Sequence, residues 1–225
     1  MSRNANAAVF LDRDGTIIED RGHLRDPSEV VFFPDTFDAL RRLREHFLLF
    51  IVTNQVGVAE GIITLGDVER INRSIVAALD DGGIAITDVY VCPHKRADKC
   101  PCMKPQPYFL RKAAERYDVD LRASFTVGDH PHDVQLAENA GARGIYVLTG
   151  HGRKHVDDLP HPAPVASGIA EAAEMILAGR TAAQRRGRKA APKSCLPCSM
   201  LARQEKRVDA GEVVQVQFPG LFGHS

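Results

Sequence analysis

The stretch Val9-Phe10-Leu11-Asp12-Arg13-Asp14-Gly15-Thr16 carries an apolar run straight into two carboxylates. A short, continuously apolar run suits a strand buried on both faces, and such strands belong to parallel sheets. In those sheets ligands bind beyond the carboxyl ends of the strands, which is where Asp12 and Asp14 fall. An extended chain points residues i and i+2 to the same side, so both carboxylates face one cleft, and Gly15 lets the chain turn away. Taken alone, the pair reads equally well as a solvated Asp-Gly turn. A calcium loop is excluded because Gly15 stands at the wrong position and no downstream glutamate follows. A phosphate-binding P-loop is excluded because no glycine-rich run ends in Gly-Lys-Ser/Thr.

Working outward, further apolar runs at 47–52, 86–91, 125–127 and 144–148 join 7–11 as five predicted strands. Between them, helix-period segments lie near 35–45, 65–80, 107–117 and 133–140, with a closing helix over 166–177. That alternation predicts an α/β fold, a Rossmann-like parallel sheet flanked by helices. Eighteen residues, 17–34, separate the first acidic motif from the next helix, too few for a cap domain, and 55–103 is filled by a helix, a strand and a cysteine-rich loop. The cleft is therefore expected to be open, with specificity set by loops.

The 225 residues, 44% of them hydrophobic, allow one α/β domain with a modest extension. Net charge is zero, but nine Lys/Arg against three Asp/Glu leave +6 on residues 180–225 and −6 on residues 1–179. The expected division is a catalytic body at 1–179 and a basic tail at 180–225, disordered or contributing an added strand. Residues 180–194 read as a flexible basic linker, and 212–218 alternates in strand fashion. An acidic body is not that of a nucleic-acid-binding domain. No apolar run is long enough to span a membrane, and the first is too short for a signal peptide, so a cytoplasmic location is expected; the chain is also expected to be a monomer.

Five cysteines in a reducing compartment point to metal binding or free thiols rather than disulfides. Cys92, His94, Cys100 and Cys102 form the pattern Cys-x-His-x5-Cys-x-Cys. Three thiolates and an imidazole make a complete tetrahedral zinc set with no open position, so the site is expected to be structural. Its expected role is to lock a short irregular loop and thereby fix Lys104. Cys195 and Cys198, a lone Cys-x-x-Cys, receive no assignment.

Thr53-Asn54 ends the second predicted strand, Lys104 follows the cysteine loop, and Gly128-Asp129 with Asp133 ends the fourth. With Asp12 and Asp14, their order and chemistry resemble the four motifs of the haloacid dehalogenase superfamily, over about residues 7–150. The resemblance implies a HAD-like fold and a phosphomonoester hydrolase in which Asp12 attacks phosphorus to form an aspartyl phosphate. It implies that Asp14 protonates the leaving oxygen and later activates water. It places Mg2+ on the Asp12 carboxylate, the Asp14 backbone carbonyl and Asp129, with Asp133 as a further ligand or a support. Thr53 and Lys104 are implied as holders of the phosphoryl oxygens.

The cysteine loop followed by Lys104 resembles one subgroup, the heptose bisphosphate and histidinol phosphatases. Gly22-His23 lies near the heptose enzymes' Gly-Tyr, and Thr149-Gly150-His151-Gly152 resembles their Thr-Gly-x-Gly ending. Residues 133–144 also resemble the histidinol phosphatases. Met103 stands where both groups usually carry Arg, His130 where the heptose enzymes commonly carry Lys, and Tyr108 where Gly is frequent. The expected partner is a small phosphorylated substrate, a sugar phosphate, with Arg13, His23, Asn54, Gln55 and His130 as its contacts. His46, His132, His151, His155 and His161 are expected at surface or loop positions. The expected substrate is heptose 1,7-bisphosphate, with histidinol phosphate and then a DNA 3′-phosphate end as alternatives. From another class, the chain could be a zinc-stabilised interaction module without catalysis.

Overall fold

A computed structural model describes the backbone of residues 5–189 and of Gln215–Val216, with side chains through Arg180. In chain order the elements are β1 (Ala8–Leu11), α1 (Thr36–Arg44), β2 (Leu48–Asn54), α2 (Leu65–Asp81), β3 (Asp88–Cys92), α3 (Tyr108–Tyr117) and β4 (Phe125–Gly128). Then follow α4 (Pro131–Ala140), β5 (Arg143–Val147), α5 (Gly152–His155), β6 (Val165–Ala166), α6 (Ile169–Lys189) and β7 (Gln215–Val216). The sheet order is β6-β5-β4-β1-β2-β3-β7. All pairs are parallel except β3 with β7, where Val89 faces Val216 in antiparallel register.

Parallel strands alternate their side chains between two covered faces. Val9 and Leu11 of β1 join Leu40 and Leu43 of α1, Val68, Ile71 and Ile75 of α2, and Ile169 and Ile176 of α6. Ala8 and Phe10 point the other way, onto Phe109 and Leu110 of α3 and Leu136 of α4. On that face Phe10 stacks on Phe50, Phe50 on Tyr90, and Tyr90 on Phe109, at centroid separations of 4.9, 6.1 and 5.0 Å. Burying each of these large side chains is worth roughly 1.5–3 kcal/mol, so the sheet is held rigid where its strand ends carry chemistry.

The caps fix where helices begin. Thr64 and Asp67 bond reciprocally at the start of α2, the Asp67 N–H reaching Thr64 Oγ1 at 3.1 Å and the Thr64 N–H reaching Asp67 Oδ2 at 2.7 Å. Asn72 then occupies a buried position in the apolar stripe Val68, Ile71, Ile75, Leu79. His130 caps α4 ahead of Pro131, with Asp133 three residues in.

The five predicted strands are present, joined by the short β6 and β7. Two expectations change. The last helix starts at Ile169, because 165–166 is taken into the sheet beside β5. It runs through Lys189, so the expected boundary at 179/180 and the first part of the expected linker lie inside a helix; Arg, Ala, Gln and Lys are strong helix formers, and basic character did not prevent propagation. Of the tail's expected strand, Gln215–Val216 lies on the free edge of β3, while Cys195 and Cys198 lie outside the described residues. Among the described residues, no helix is long and apolar enough to cross a membrane.

Candidate active site and zinc loop

Because β1, β2, β3, β4 and β5 run parallel, their carboxyl ends meet at one edge of the sheet. Asp12 follows β1, Thr53 lies at the end of β2, Asp129 follows β4, Asp133 lies in the first turn of α4, and Lys104 arrives from the loop after β3. Asp12, Asp129 and Asp133 are all buried, and one carboxylate oxygen from each lies within 4.8 Å of the other two. Lys104 Nζ bridges this cluster, donating to Asp12 Oδ1 at 2.5 Å and to Asp133 Oδ1 at 2.7 Å. The second Asp133 oxygen accepts from the His130 N–H at 3.2 Å, and Asp129 Oδ2 accepts from the His151 N–H at 2.7 Å.

The charge balance of this pocket calls for a cation. Burial pushes the Asp12 carboxyl well up; Lys104 opposes this, and Asp133, Asp129 and Asp14 add to it. Asp129 is pushed up to about 6, by burial and then by Asp133, although the His151 N–H holds it down. Burial works against the Lys104 charge, but Asp12 and Asp133 together carry its pKa above the ordinary value. Three buried carboxylates facing one ammonium are the surroundings a divalent cation stabilises, so the donor set fits magnesium. Gly15 makes room for the Asp129 carboxylate: it has φ +83°, and a Cβ there would stand 2.1 Å from Asp129 Oδ2.

Asp14 faces the same cleft but is held separately. Its carboxylate accepts from Arg13 Nε and Nη2, both at 3.0 Å, and from Gln55 Nε2 at 2.9 Å. Gln55 Nε2 also reaches Thr53 Oγ1 at 2.8 Å.

Cys92, His94, Cys100 and Cys102 are assembled as a compact group that could hold a metal ion. Cys92 Sγ lies 3.3 Å from Cys102 Sγ and 3.6 Å from Cys100 Sγ, and His94 Nδ1 lies 3.3 Å from Cys102 Sγ and 3.7 Å from Cys92 Sγ. A zinc tetrahedron with its usual bond lengths has S–S and S–N edges of about 3.8 and 3.6 Å, so the donor set fits the ion with only slight adjustment. Without an ion, the Cys92 thiol is raised by its bond to Cys102 and by burial. Two bonds tie the loop to its surroundings, one just after it and one from its middle. The Lys104 N–H donates to Asn54 Oδ1 at 3.2 Å, and Arg96 Nη2 meets His132 Nε2 at 3.3 Å.

The expected substrate contacts are placed unequally. Arg13 is 1% exposed and spends its guanidinium on Asp14 and Asn72, so it is not free to meet a substrate. Asn54 and Gln55 are likewise engaged with Lys104 and Asp14. A polar side chain next to a strand end is drawn inward whenever buried charges need partners, and spacing alone does not reveal this. His23 stands exposed against Gly57, in the turn after β2. His130 is half-buried, and burial followed by His132 holds it down at about 4, leaving a neutral ring.

His132, His151 and His155, expected as surface or loop residues, gather with His130 at this end of the sheet. Ring centroids lie 4.4 Å apart for His130–His132, 5.2 Å for His130–His155 and 6.2 Å for His151–His155. A usable signal was present: His130 and His132 flank the α4 cap at i, i+2, and His151 and His155 sit one turn apart. Asn72 was missed as well, and the clue was a lone amide at a core position of an amphipathic helix.

Comparison with known proteins places this geometry in a family. Residues 101–172 match a family model described as HAD-hydrolase-like. The D-glycero-beta-D-manno-heptose-1,7-bisphosphate 7-phosphatase of Bordetella bronchiseptica is 35% identical over 173 residues, 75% of this chain and 97% of that protein. The Escherichia coli K12 protein of the same name is 35% identical over 153 residues, 64% of this chain and 80% of that protein. A crystal structure of the B. bronchiseptica phosphatase complexed with magnesium and phosphate superposes with a TM-score of 0.71 at 33% identity, covering 77% of this chain and 99% of that one.

Proposed function

This chain belongs to the haloacid dehalogenase-like phosphatases that include the heptose bisphosphate enzymes, and on that premise we propose that it removes the 7-phosphate of D-glycero-D-manno-heptose 1,7-bisphosphate with magnesium as its cofactor. The observation that carries the reading is the meeting of Asp12, Asp129, Asp133 and Lys104 in one buried pocket beside Asp14 and Thr53.

Asp12 is the nucleophile. Its carboxylate oxygen forms a bond to phosphorus as the bond from phosphorus to the sugar oxygen breaks, and Asp14 gives that oxygen a proton. In the second step a water oxygen bonds to phosphorus, its proton passes to Asp14, and the Asp12 carboxylate leaves. Lys104 neutralises phosphoryl charge, and Thr53 Oγ1 donates to a phosphoryl oxygen. Asp12, Asp129 and the Asp14 backbone carbonyl would hold magnesium, which supplies Lewis-acid neutralisation of the phosphoryl group. Asp133 acts as support, since both its oxygens already have partners. The zinc quartet is structural and keeps Lys104 in place. His23 and the His130 ring are the side chains left to meet the sugar. Every group comes from one chain, which fits a monomer, and reduced zinc-binding thiols fit the cytoplasm.

Met103 ahead of Lys104 and the neutral His130 ring bring no charge for a second phosphate, and they favour histidinol phosphate as the second reading. The two substrates assayed side by side decide between them. The proposal expects kcat/KM for the heptose bisphosphate to exceed that for histidinol phosphate by about tenfold or more. The reverse order would replace it.

A further inference from the structure

We propose that Arg13 and Asn72 form a positioning pair that holds the Asp14 carboxylate in the orientation its acid role requires; the inference rests on the phosphatase reading above. Arg13 and Asp14 are neighbours in sequence, and the chain turns at once, with the Arg13 carbonyl accepting from the Ile17 and Ile18 N–H groups at 3.1 and 3.2 Å. The guanidinium curls back and grips both Asp14 oxygens through Nε and Nη2. Its remaining terminal nitrogen, Nη1, donates to Asn72 Oδ1 at 2.7 Å, across 59 positions of sequence. Arg13 and Asn72 are each 1% exposed.

Asn72 is the telling residue. It sits among Val68, Ile71 and Ile75 on the buried face of α2, and its Nδ2 has no partner. An aliphatic side chain would fill that space without stranding a buried donor. The amide is explained by its oxygen, which fixes the far end of the guanidinium. A fork anchored at one end and bonded through two parallel N–H groups at the other sets both the plane and the rotation of a carboxylate. Gln55 bonds the same carboxylate from the cleft side. An acid displaced by about an ångström loses much of its effect.

The consequence differs between leaving groups. A sugar alkoxide needs a proton as it departs, whereas p-nitrophenolate departs without one. With kcat/KM reporting steps only up to the aspartyl phosphate, the ratio of kcat/KM for the sugar phosphate to that for p-nitrophenyl phosphate isolates the acid. The test compares that ratio in the zinc-loaded full chain, with melting temperature and zinc content measured on every variant. Asn72→Leu is expected to lower the ratio about tenfold, and Arg13→Lys, which keeps a charge without the fork, at least as much. Asn72→Asp, which keeps an acceptor facing Arg13, is expected to restore it. Equal losses on both substrates, or an unchanged ratio, would overturn the pairing. Asp14→Asn is the control for the underlying reading: if it too left the ratio unchanged, the acid role of Asp14 would fall and this inference with it.

Discussion

Two clusters of side chains that could hold a metal lie at the same end of the sheet and are built in opposite ways. Cys92, His94, Cys100 and Cys102 come from eleven consecutive residues, and their atoms nearly close a tetrahedron. Asp12 lies more than a hundred residues from Asp129 and Asp133, and it meets them only because parallel strands end together. The first set would satisfy a zinc ion completely, which suits holding a loop. The second crowds like charges around Lys104, surroundings that a cation would stabilise. The local cluster is suited to stability, and the dispersed one to chemistry.

Breaking the dispersed cluster should remove turnover without unfolding the chain. Asp12→Asn is expected to lower kcat by about 10⁴-fold or more. The melting temperature of the metal-free protein should hold or rise, because a buried charge leaves a crowd of like charges. Retained activity in a pure sample would remove Asp12 from its role. Breaking the local cluster should do both kinds of damage at once. Cys102→Ser, or zinc removal by a chelator, is expected to lower the melting temperature by roughly 10 °C. Activity should fall about tenfold as Lys104 loses its fixed backbone. Zinc loss that moved neither quantity would contradict the structural role.

The same contrast explains what could be read from the sequence. The grouping of Cys92, His94, Cys100 and Cys102 was legible, because the four are near neighbours in sequence and a tetrahedral site calls for four donors. The strands were legible because each is a continuous apolar run, and their carboxyl ends gave the positions of Asp12, Thr53 and Asp129. The inward turn of Arg13, Asn54 and Gln55 was not legible, since a polar residue beside a strand end can face a ligand or a buried charge with the same sequence pattern. The histidine group around His130 stayed hidden because α5, which carries His155, is only four residues long and has no periodicity to read. The continuation of α6 is hard to read because a run of basic residues suits a linker as well as a helix, and only the propensities of Arg, Gln and Ala favour helix.

The smallest expected effect concerns pH. With Asp129 raised to about 6 in the metal-free fold, the native state takes up a proton that the unfolded chain binds only near pH 4. The Asp129 contribution to stability is therefore most favourable at about pH 4 and is lost progressively as pH rises through about 6. Unfolding curves across that window should slope downward for the metal-free wild type and less steeply for Asp129→Asn. Equal slopes would mean that Asp129 is not crowded in the way its neighbours indicate.

The most direct measurement is chemical trapping of the intermediate. Protein quenched during turnover of the heptose bisphosphate and reduced with borohydride converts an aspartyl phosphate to homoserine, which peptide mass spectrometry locates. The account predicts that conversion at residue 12, dependent on substrate and absent from Asp12→Asn. Turnover with no conversion at residue 12, or with the modification on another carboxylate, would contradict it.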